Sequence, residues 1–140
     1  MLQLCSSGRP VDVRWVVFSG SHARAEEARN SAEYWLDHVE SKQADLHSFR
    51  DGFFPDSWAA IKEEFEHLKS SFDPDIIFTH TRNDLHQDHR IIHELTWNTF
   101  RNHFILEYEN PKYEGDMGSP NFYNPLSKGV AKAKVSDLME

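Results

Sequence analysis

Residues 73–90 read Asp-Pro-Asp-Ile-Ile-Phe-Thr-His-Thr-Arg-Asn-Asp-Leu-His-Gln-Asp-His-Arg, and this stretch decides the predicted fold. The apolar run at 76–78 follows a proline and predicts a buried strand. A polar loop over 79–84 comes next, and a helical periodicity begins near Leu85. An open α/β sheet places its ligand site where a strand ends in a polar loop before a helix. The segment is therefore the candidate active site.

Three of the nine histidines of the chain lie in this segment, His80, His86 and His89, and His93 follows three residues after it. On a helix, positions 86, 89 and 93 share one face, because they are three and seven residues apart. Zinc binds imidazole nitrogen and carboxylate oxygen, and Asp84 and Asp88 add carboxylates nearby. The same pattern also fits a solvated helix face without a ligand. We favour the functional interpretation for His86 and His89, and a structural one for the remaining histidines outside the loop: His22, His38, His47, His67, His93 and His103.

Strands and helices alternate along the rest of the chain. The sequence predicts strands at 11–18, 44–49, 76–80 and 104–108, and helices at 24–39, 55–72, 85–103 and 128–140, with the end of a further helix at 1–7. Glu26 and Glu27 are predicted to lie in the first turn of their helix, where they would complement its dipole. This order predicts an α/β fold with a mainly parallel sheet. We expect a single domain over 1–140, in which the part from about 110 is a loop followed by a short helix.

The composition limits the classes of partner. A formal net charge of −8 disfavours nucleic acid, whose binding requires clustered lysine and arginine. No apolar run approaches the roughly 20 residues that span a bilayer, and the first residues do not resemble a signal peptide. The single cysteine, Cys5, fits a reducing compartment, so we expect a cytoplasmic protein. Neither a Gly-x-Ser-x-Gly nucleophile motif nor a glycine-rich phosphate loop is present in the sequence.

Residues 74–90 resemble the second motif of the PIG-L/LmbE-like zinc-dependent N-deacetylases, and the resemblance extends over roughly 1–110. Other matching features are Ser19-Gly20 after the first strand, the Arg24-x-x-Glu27-Ala28 pattern and the Phe49-x-Asp-Gly52 turn. The resemblance implies a Rossmann-like, mostly parallel sheet with helices on both faces. It also implies a zinc-dependent hydrolase that removes an acetyl group from N-acetylglucosaminyl or related amino-sugar substrates.

The resemblance assigns roles to four residues. His89 corresponds to a zinc ligand, and His86 would lie beside the substrate carbonyl, where it would stabilise the oxyanion or protonate the leaving amine. Asp88 would orient the imidazole of His86 and tune its charge. Arg24 is a candidate for substrate binding. In such enzymes zinc activates a water molecule and polarises the amide.

The first motif of that family, His-Pro-Asp-Asp-Glu, is absent from these 140 residues. It supplies two zinc ligands and the general base, so we expect a domain truncated at its N-terminus, with its first strand missing. That strand would lie between the strands at 11–18 and 76–80. We therefore expect this chain to bind zinc weakly, to catalyse poorly, to be marginally stable and to be prone to homo-oligomerisation through exposed strand edges.

Two functions of other classes also fit the sequence. The first alternative is a non-catalytic α/β binding or assembly module in which the histidines are structural. The second, a helix-turn-helix regulator, is disfavoured by the acidic charge.

Overall fold

The computed structural model describes residues 9–37, 39–110 and 118–138. In chain order the elements are β1 (Asp12–Val17), α1 (His22–Trp35), β2 (Ser41–Leu46), a 3-10 turn (Phe54–Ser57), α2 (Trp58–Ser71), β3 (Ile76–His80), α3 (Gln87–Phe100), β4 (Phe104–Tyr108) and α4 (Lys128–Leu138). The helix end predicted at 1–7 lies outside the described residues. None of the described helices is both long and apolar enough to span a bilayer.

The chain divides into two compact units, Met1–Asn110 and Pro111–Glu140. The first unit contains all four described strands and helices α1 to α3, and the second contains α4. The single domain expected over 1–140 stays a prediction.

The strands form two parallel pairs. β1 pairs with β2 from Asp12↔Ser41 to Val17↔Leu46, and β3 pairs with β4 from Ile76↔Phe104 to His80↔Tyr108. The predicted α/β class with parallel strands is confirmed. In the part of the chain that the structure describes, however, the strands make two sheets of two strands each, with no ladder joining β1 to β3.

Helices cover both faces of the β1–β2 pair. Alternate residues of a strand point to opposite faces. The apolar side chains of β1 therefore pack in two clusters, one on each face of the pair. Val13 and Trp15 pack with Ala32 of α1 and with Leu36, the C-cap of that helix. Val16, together with Phe18 just after the strand, packs in the larger cluster, which α2 and α3 supply with buried residues: Ile61, Phe65, Leu95 and Phe100.

The β3–β4 pair has one covered face. Ile77 and Ile105 are register partners and both pack against the larger cluster. On the opposite face, Phe78 and Phe104 are 43% and 57% exposed. Among the described residues of the first unit, helices therefore lie on both faces of the first pair and on one face of the second.

Helix starts differ from the sequence prediction by about two residues. Helix α1 begins at His22, after the extended residue Ser21, so Glu26 and Glu27 lie beyond its first turn and the predicted dipole contact was wrong. Helix α3 begins at Gln87 rather than 85, because His86 is extended and acts as its N-cap. Helix starts depend on such local conformations, which hydrophobic periodicity does not specify.

Candidate active site

Three loops, each following a parallel strand, meet at the candidate site. Arg24, in the first turn of α1 after β1, donates from its guanidinium to Asp51 Oδ2 at 2.9 Å. Asp51 belongs to the turn after β2, and its ligand oxygen lies within 4.8 Å of ligand atoms of His86 and Asp88, at the start of α3. The residues that the sequence singled out therefore converge, as expected for the carboxyl ends of parallel strands.

Asp88 ties the 50–54 turn to helix α3. Its side chain is buried, and its carboxylate accepts the backbone N–H of Gly52 at 2.6 Å and of Phe54 at 3.1 Å. The turn requires a glycine, because Gly52 has a φ of 79°, in the left-handed region. Gln87 Nε2 also donates to the carbonyl oxygen of Gly52 at 3.0 Å. These bonds fix the position of Asp51 relative to His86.

His86 caps helix α3 with its ring. Nδ1 of His86 accepts the backbone N–H of Asp88 at 3.2 Å. An accepting Nδ1 carries no hydrogen, so the neutral ring carries its hydrogen on Nε2 and can donate from there. The contact between the two residues thus runs through the backbone of Asp88, while its carboxylate faces the turn. Orientation of His86 by that carboxylate stays a prediction.

The ring of His89 stacks on that of His80 and is tilted against that of His86. Its ring centroid is 4.0 Å from that of His80 and 4.6 Å from that of His86. Asp84 Oδ2 lies 2.7 Å from His89 Nδ1, and Asp84 Oδ1 accepts the backbone N–H of His86 at 2.8 Å. Asp84 thereby contacts both histidines to which the sequence gave functional roles.

Tyr108 closes the site at the end of β4. Its ring centroid is 5.1 Å from that of His80, and its carbonyl accepts the N–H of Thr81 at 3.0 Å. Burial raises the pKa of the Tyr108 phenol, and the negative charge of Asp84 raises it further. The neutral phenol is therefore the favoured form beside this carboxylate.

The donor types at the site fit a divalent metal ion such as zinc. Asp51, His86 and Asp88 offer one ligand atom each in a cluster of less than 5 Å, and carboxylate oxygen and imidazole nitrogen are common zinc ligands. The ring of His89 lies beside this cluster, with its centroid 4.6 Å from that of His86. Each of the three clustered residues also has a hydrogen-bond partner: Asp51 accepts from Arg24, and His86 and Asp88 accept backbone N–H groups.

Several of the remaining histidines have structural partners. His93 Nδ1 lies 3.0 Å from the carbonyl oxygen of His80, and His103 Nε2 lies 2.9 Å from Asp73 Oδ1. The ring of His47 stacks on Phe18 in the core. These contacts agree with the structural interpretation for the three residues.

The sequence reasoning missed two contributions to the site. Asp51 was noted only as part of an Asp-Gly turn, and its approach to His86 depends on a contact between residues 35 positions apart. The position of this turn just after a parallel strand was the signal that could have identified it. Asp84 was noted as a carboxylate near the histidines, but its bond to His89 could not be read from the spacing.

Comparisons with known proteins give one match. The family described as GlcNAc-PI de-N-acetylase, PIG-L, matches residues 5–100. No curated protein and no solved structure matches the chain. The matched segment spans α1 to α3 and includes Arg24, His86, Asp88 and His89. Because the match covers more than half of the 140 residues, the chain belongs to the PIG-L family of GlcNAc-PI de-N-acetylases.

Proposed function

We propose that this domain is a zinc-dependent N-deacetylase that removes the acetyl group of an N-acetylated amino sugar. Family membership supports a deacetylase-type hydrolase. The observation that carries the finer proposal is the convergence of Arg24, Asp51, His86 and Asp88, with the His89 ring centroid 4.6 Å from that of His86. This arrangement brings together possible metal ligands, the neutral hydrogen-bond donor His86 and the cation Arg24.

Bound zinc would supply a Lewis acid that polarises the amide and lowers the pKa of water. Asp51, whose ligand oxygen lies in the cluster with His86 and Asp88, would help to hold it, and His89 would be a further ligand, as the family resemblance implies. The reaction breaks the C–N bond of the acetamide; the water oxygen ends on acetate, and the sugar nitrogen leaves as an amine after gaining a proton.

His86 would stabilise the developing negative charge on the amide oxygen. Its Nδ1 accepts a backbone N–H, so the ring is a neutral donor at Nε2 in this arrangement. A neutral donor aimed at a developing oxyanion lowers the barrier without a proton transfer. Of the two roles that the family resemblance allows for His86, this hydrogen bond favours oxyanion stabilisation over proton donation to the amine.

Arg24 would bind the substrate at the edge of the site. Its side chain is more than half exposed, as is that of its partner Asp51, so the guanidinium has donors left for sugar hydroxyl groups. Asp88 would support Arg24 and Asp51 by holding the 50–54 turn against α3.

We expect slow hydrolysis by this 140-residue chain, because the His-Pro-Asp-Asp-Glu motif that supplies further ligands and the base in the family does not occur in it. Its substrate is proposed to be a small molecule and its location the cytoplasm, which the single cysteine supports. A homo-oligomer is a further expectation.

The test measures zinc affinity and acetate release together. The chain is freed of metal, titrated with zinc, and incubated with an N-acetylglucosaminide. We expect slow, zinc-dependent release of acetate that His89→Ala and His86→Ala both abolish, with weaker zinc binding in His89→Ala. His103→Ala is the matched control, since His103 pairs with Asp73 outside the site. Acetate release that does not depend on zinc, or that survives His89→Ala, would contradict the proposal.

A further inference from the structure

Asp84 contacts both His86 and His89, and we propose that it is the positioning residue of His89. It holds the neutral His89 ring with its hydrogen on Nδ1, so that Nε2 presents a lone pair to a metal ion. The metal in this inference rests on the proposed function. The state of the ring does not, and it can be measured without metal or substrate.

The geometry of the Asp84–His89 pair carries the inference. Asp84 Oδ2 and His89 Nδ1 are 2.7 Å apart, and the two side chains are only 7% and 18% exposed. An ionised carboxylate can only accept, so Nδ1 of His89 must be the donor. Within the described part of the chain, no hydrogen bond occupies Nε2 of His89. A carboxylate on one ring nitrogen fixes the orientation of a metal-binding histidine and makes the other nitrogen more basic.

The second oxygen of Asp84 bonds to the backbone of His86, whose ring is in the opposite state. Oδ1 accepts the backbone N–H of His86 at 2.8 Å, and this fixes the residue that caps α3. There, His86 Nδ1 accepts the N–H of Asp88 and keeps its hydrogen on Nε2. Two rings with centroids 4.6 Å apart therefore differ in function: His86 donates from Nε2, and His89 offers a lone pair at Nε2.

A carboxylate is needed at position 84 because both of its oxygens accept. Asparagine has the same shape, but one of its two terminal groups is an NH₂ donor. In Asp84→Asn, either the backbone N–H of His86 or Nδ1 of His89 would lose its acceptor. An NH₂ group facing Nδ1 would instead favour hydrogen on Nε2, the nitrogen that has to bind the metal.

The first experiment records long-range ¹⁵N–¹H NMR spectra of the imidazole rings in the metal-free chain, at about pH 8, where histidine is mostly neutral. The His89 signals are assigned by their absence in His89→Ala. We expect Nδ1–H for His89 and Nε2–H for His86 in the unmodified chain. An Nε2–H ring at His89 would overturn the inference, and this arm needs no variant of Asp84.

The second experiment compares Asp84→Asn with Asp73→Asn. Both variants remove one carboxylate from a histidine pair, but Asp73 is exposed and pairs with His103 outside the site. We expect Asp84→Asn to shift the His89 ring toward Nε2–H and to weaken zinc binding ten- to one-hundred-fold. Asp73→Asn should leave the His89 spectrum and the zinc affinity unchanged. An unchanged His89 ring in a folded Asp84→Asn chain would also overturn the inference.

The outcomes separate this inference from the proposed function. Absence of zinc-dependent acetate release, combined with an Nδ1–H ring that changes in Asp84→Asn, would refute the deacetylase and leave the role of Asp84 intact. Zinc-dependent acetate release together with an Nε2–H ring at His89 would refute the role of Asp84 and leave the deacetylase intact.

Discussion

Individual side chains in this site are defined by their hydrogen-bond partners more than by their residue type. His86 is the N-cap of α3 and His89 lies in its first turn, yet one ring accepts from the backbone and the other faces a carboxylate. The sequence predicted that these residues would share a face, because that follows from helix periodicity. It could not predict the hydrogen-bond partners of the two rings, because these are the backbone N–H of Asp88 for His86 and the Asp84 carboxylate for His89.

Tyr108 gives a pH-dependent prediction at the same scale. Burial, and secondly the charge of Asp84, raise its pKa above the usual value of 10.0. The folded state therefore holds the phenolic proton more tightly than the unfolded state does. Its stabilising contribution is fully present below pH 10.0 and is lost as the pH rises through the pKa of the folded state.

The measurement is an ultraviolet titration of phenolate, taken as the difference between the unmodified chain and Tyr108→Phe. We expect the midpoint of this absorbance difference to lie above pH 10.0 in the folded chain. In urea the midpoint should fall to the usual tyrosine pKa of 10.0. In Asp84→Asn the pKa of Tyr108 should fall only part of the way, because burial is the larger cause. A complete return to the usual value in that variant would show that burial is not the main cause.

At the scale of elements, the contact between the 50–54 turn and α3 determines the shape of the site. Two backbone N–H groups of the turn depend on the Asp88 carboxylate. Asp88→Ala would leave these donors without their acceptor, at a cost of about 3 kcal/mol in the free energy of unfolding. The same change should weaken zinc binding, because Asp51 would no longer be held near His86.

Chemical denaturation measures the first effect and zinc titration the second. Asp56→Ala is the control, since Asp56 is an exposed carboxylate in the neighbouring 3-10 turn. Equal unfolding free energies for Asp88→Ala and Asp56→Ala would show that the turn does not depend on Asp88.

The elements themselves were predictable to different degrees. Strands β3 and β4 were predicted with their observed bounds, because both are short apolar runs between polar or proline-containing segments. The observed β2 begins and ends three residues before its predicted bounds. Its sequence, Ser-Lys-Gln-Ala-Asp-Leu, has little apolar alternation from which a strand could be predicted. The hydrogen bond from the Gly52 N–H to Asp88 was not predictable, because the two residues are 36 positions apart and no periodicity of the sequence relates them.

For the whole molecule, the division into two strand pairs has an energetic consequence. Every described strand pairs with a single neighbour, so each is an edge strand with unpaired backbone groups on one side. Two-stranded sheets depend on packing against helices for stability. The β1–β2 pair has helices on both faces, whereas the β3–β4 pair leaves Phe78 and Phe104 largely exposed. We therefore expect a low, broad thermal transition and a tendency to self-associate.

Sedimentation velocity over a range of concentration and salt tests this expectation. The net charge of −8 should keep chains apart at low ionic strength, and salt should screen the repulsion and promote association. Phe104→Lys should weaken association about tenfold or more, because it removes an apolar side chain and adds a charge on the exposed face. Tyr34→Lys is the control, since Tyr34 is also exposed but lies on α1. A chain that stays monomeric in high salt and melts sharply at high temperature would mean that the strand edges are already protected.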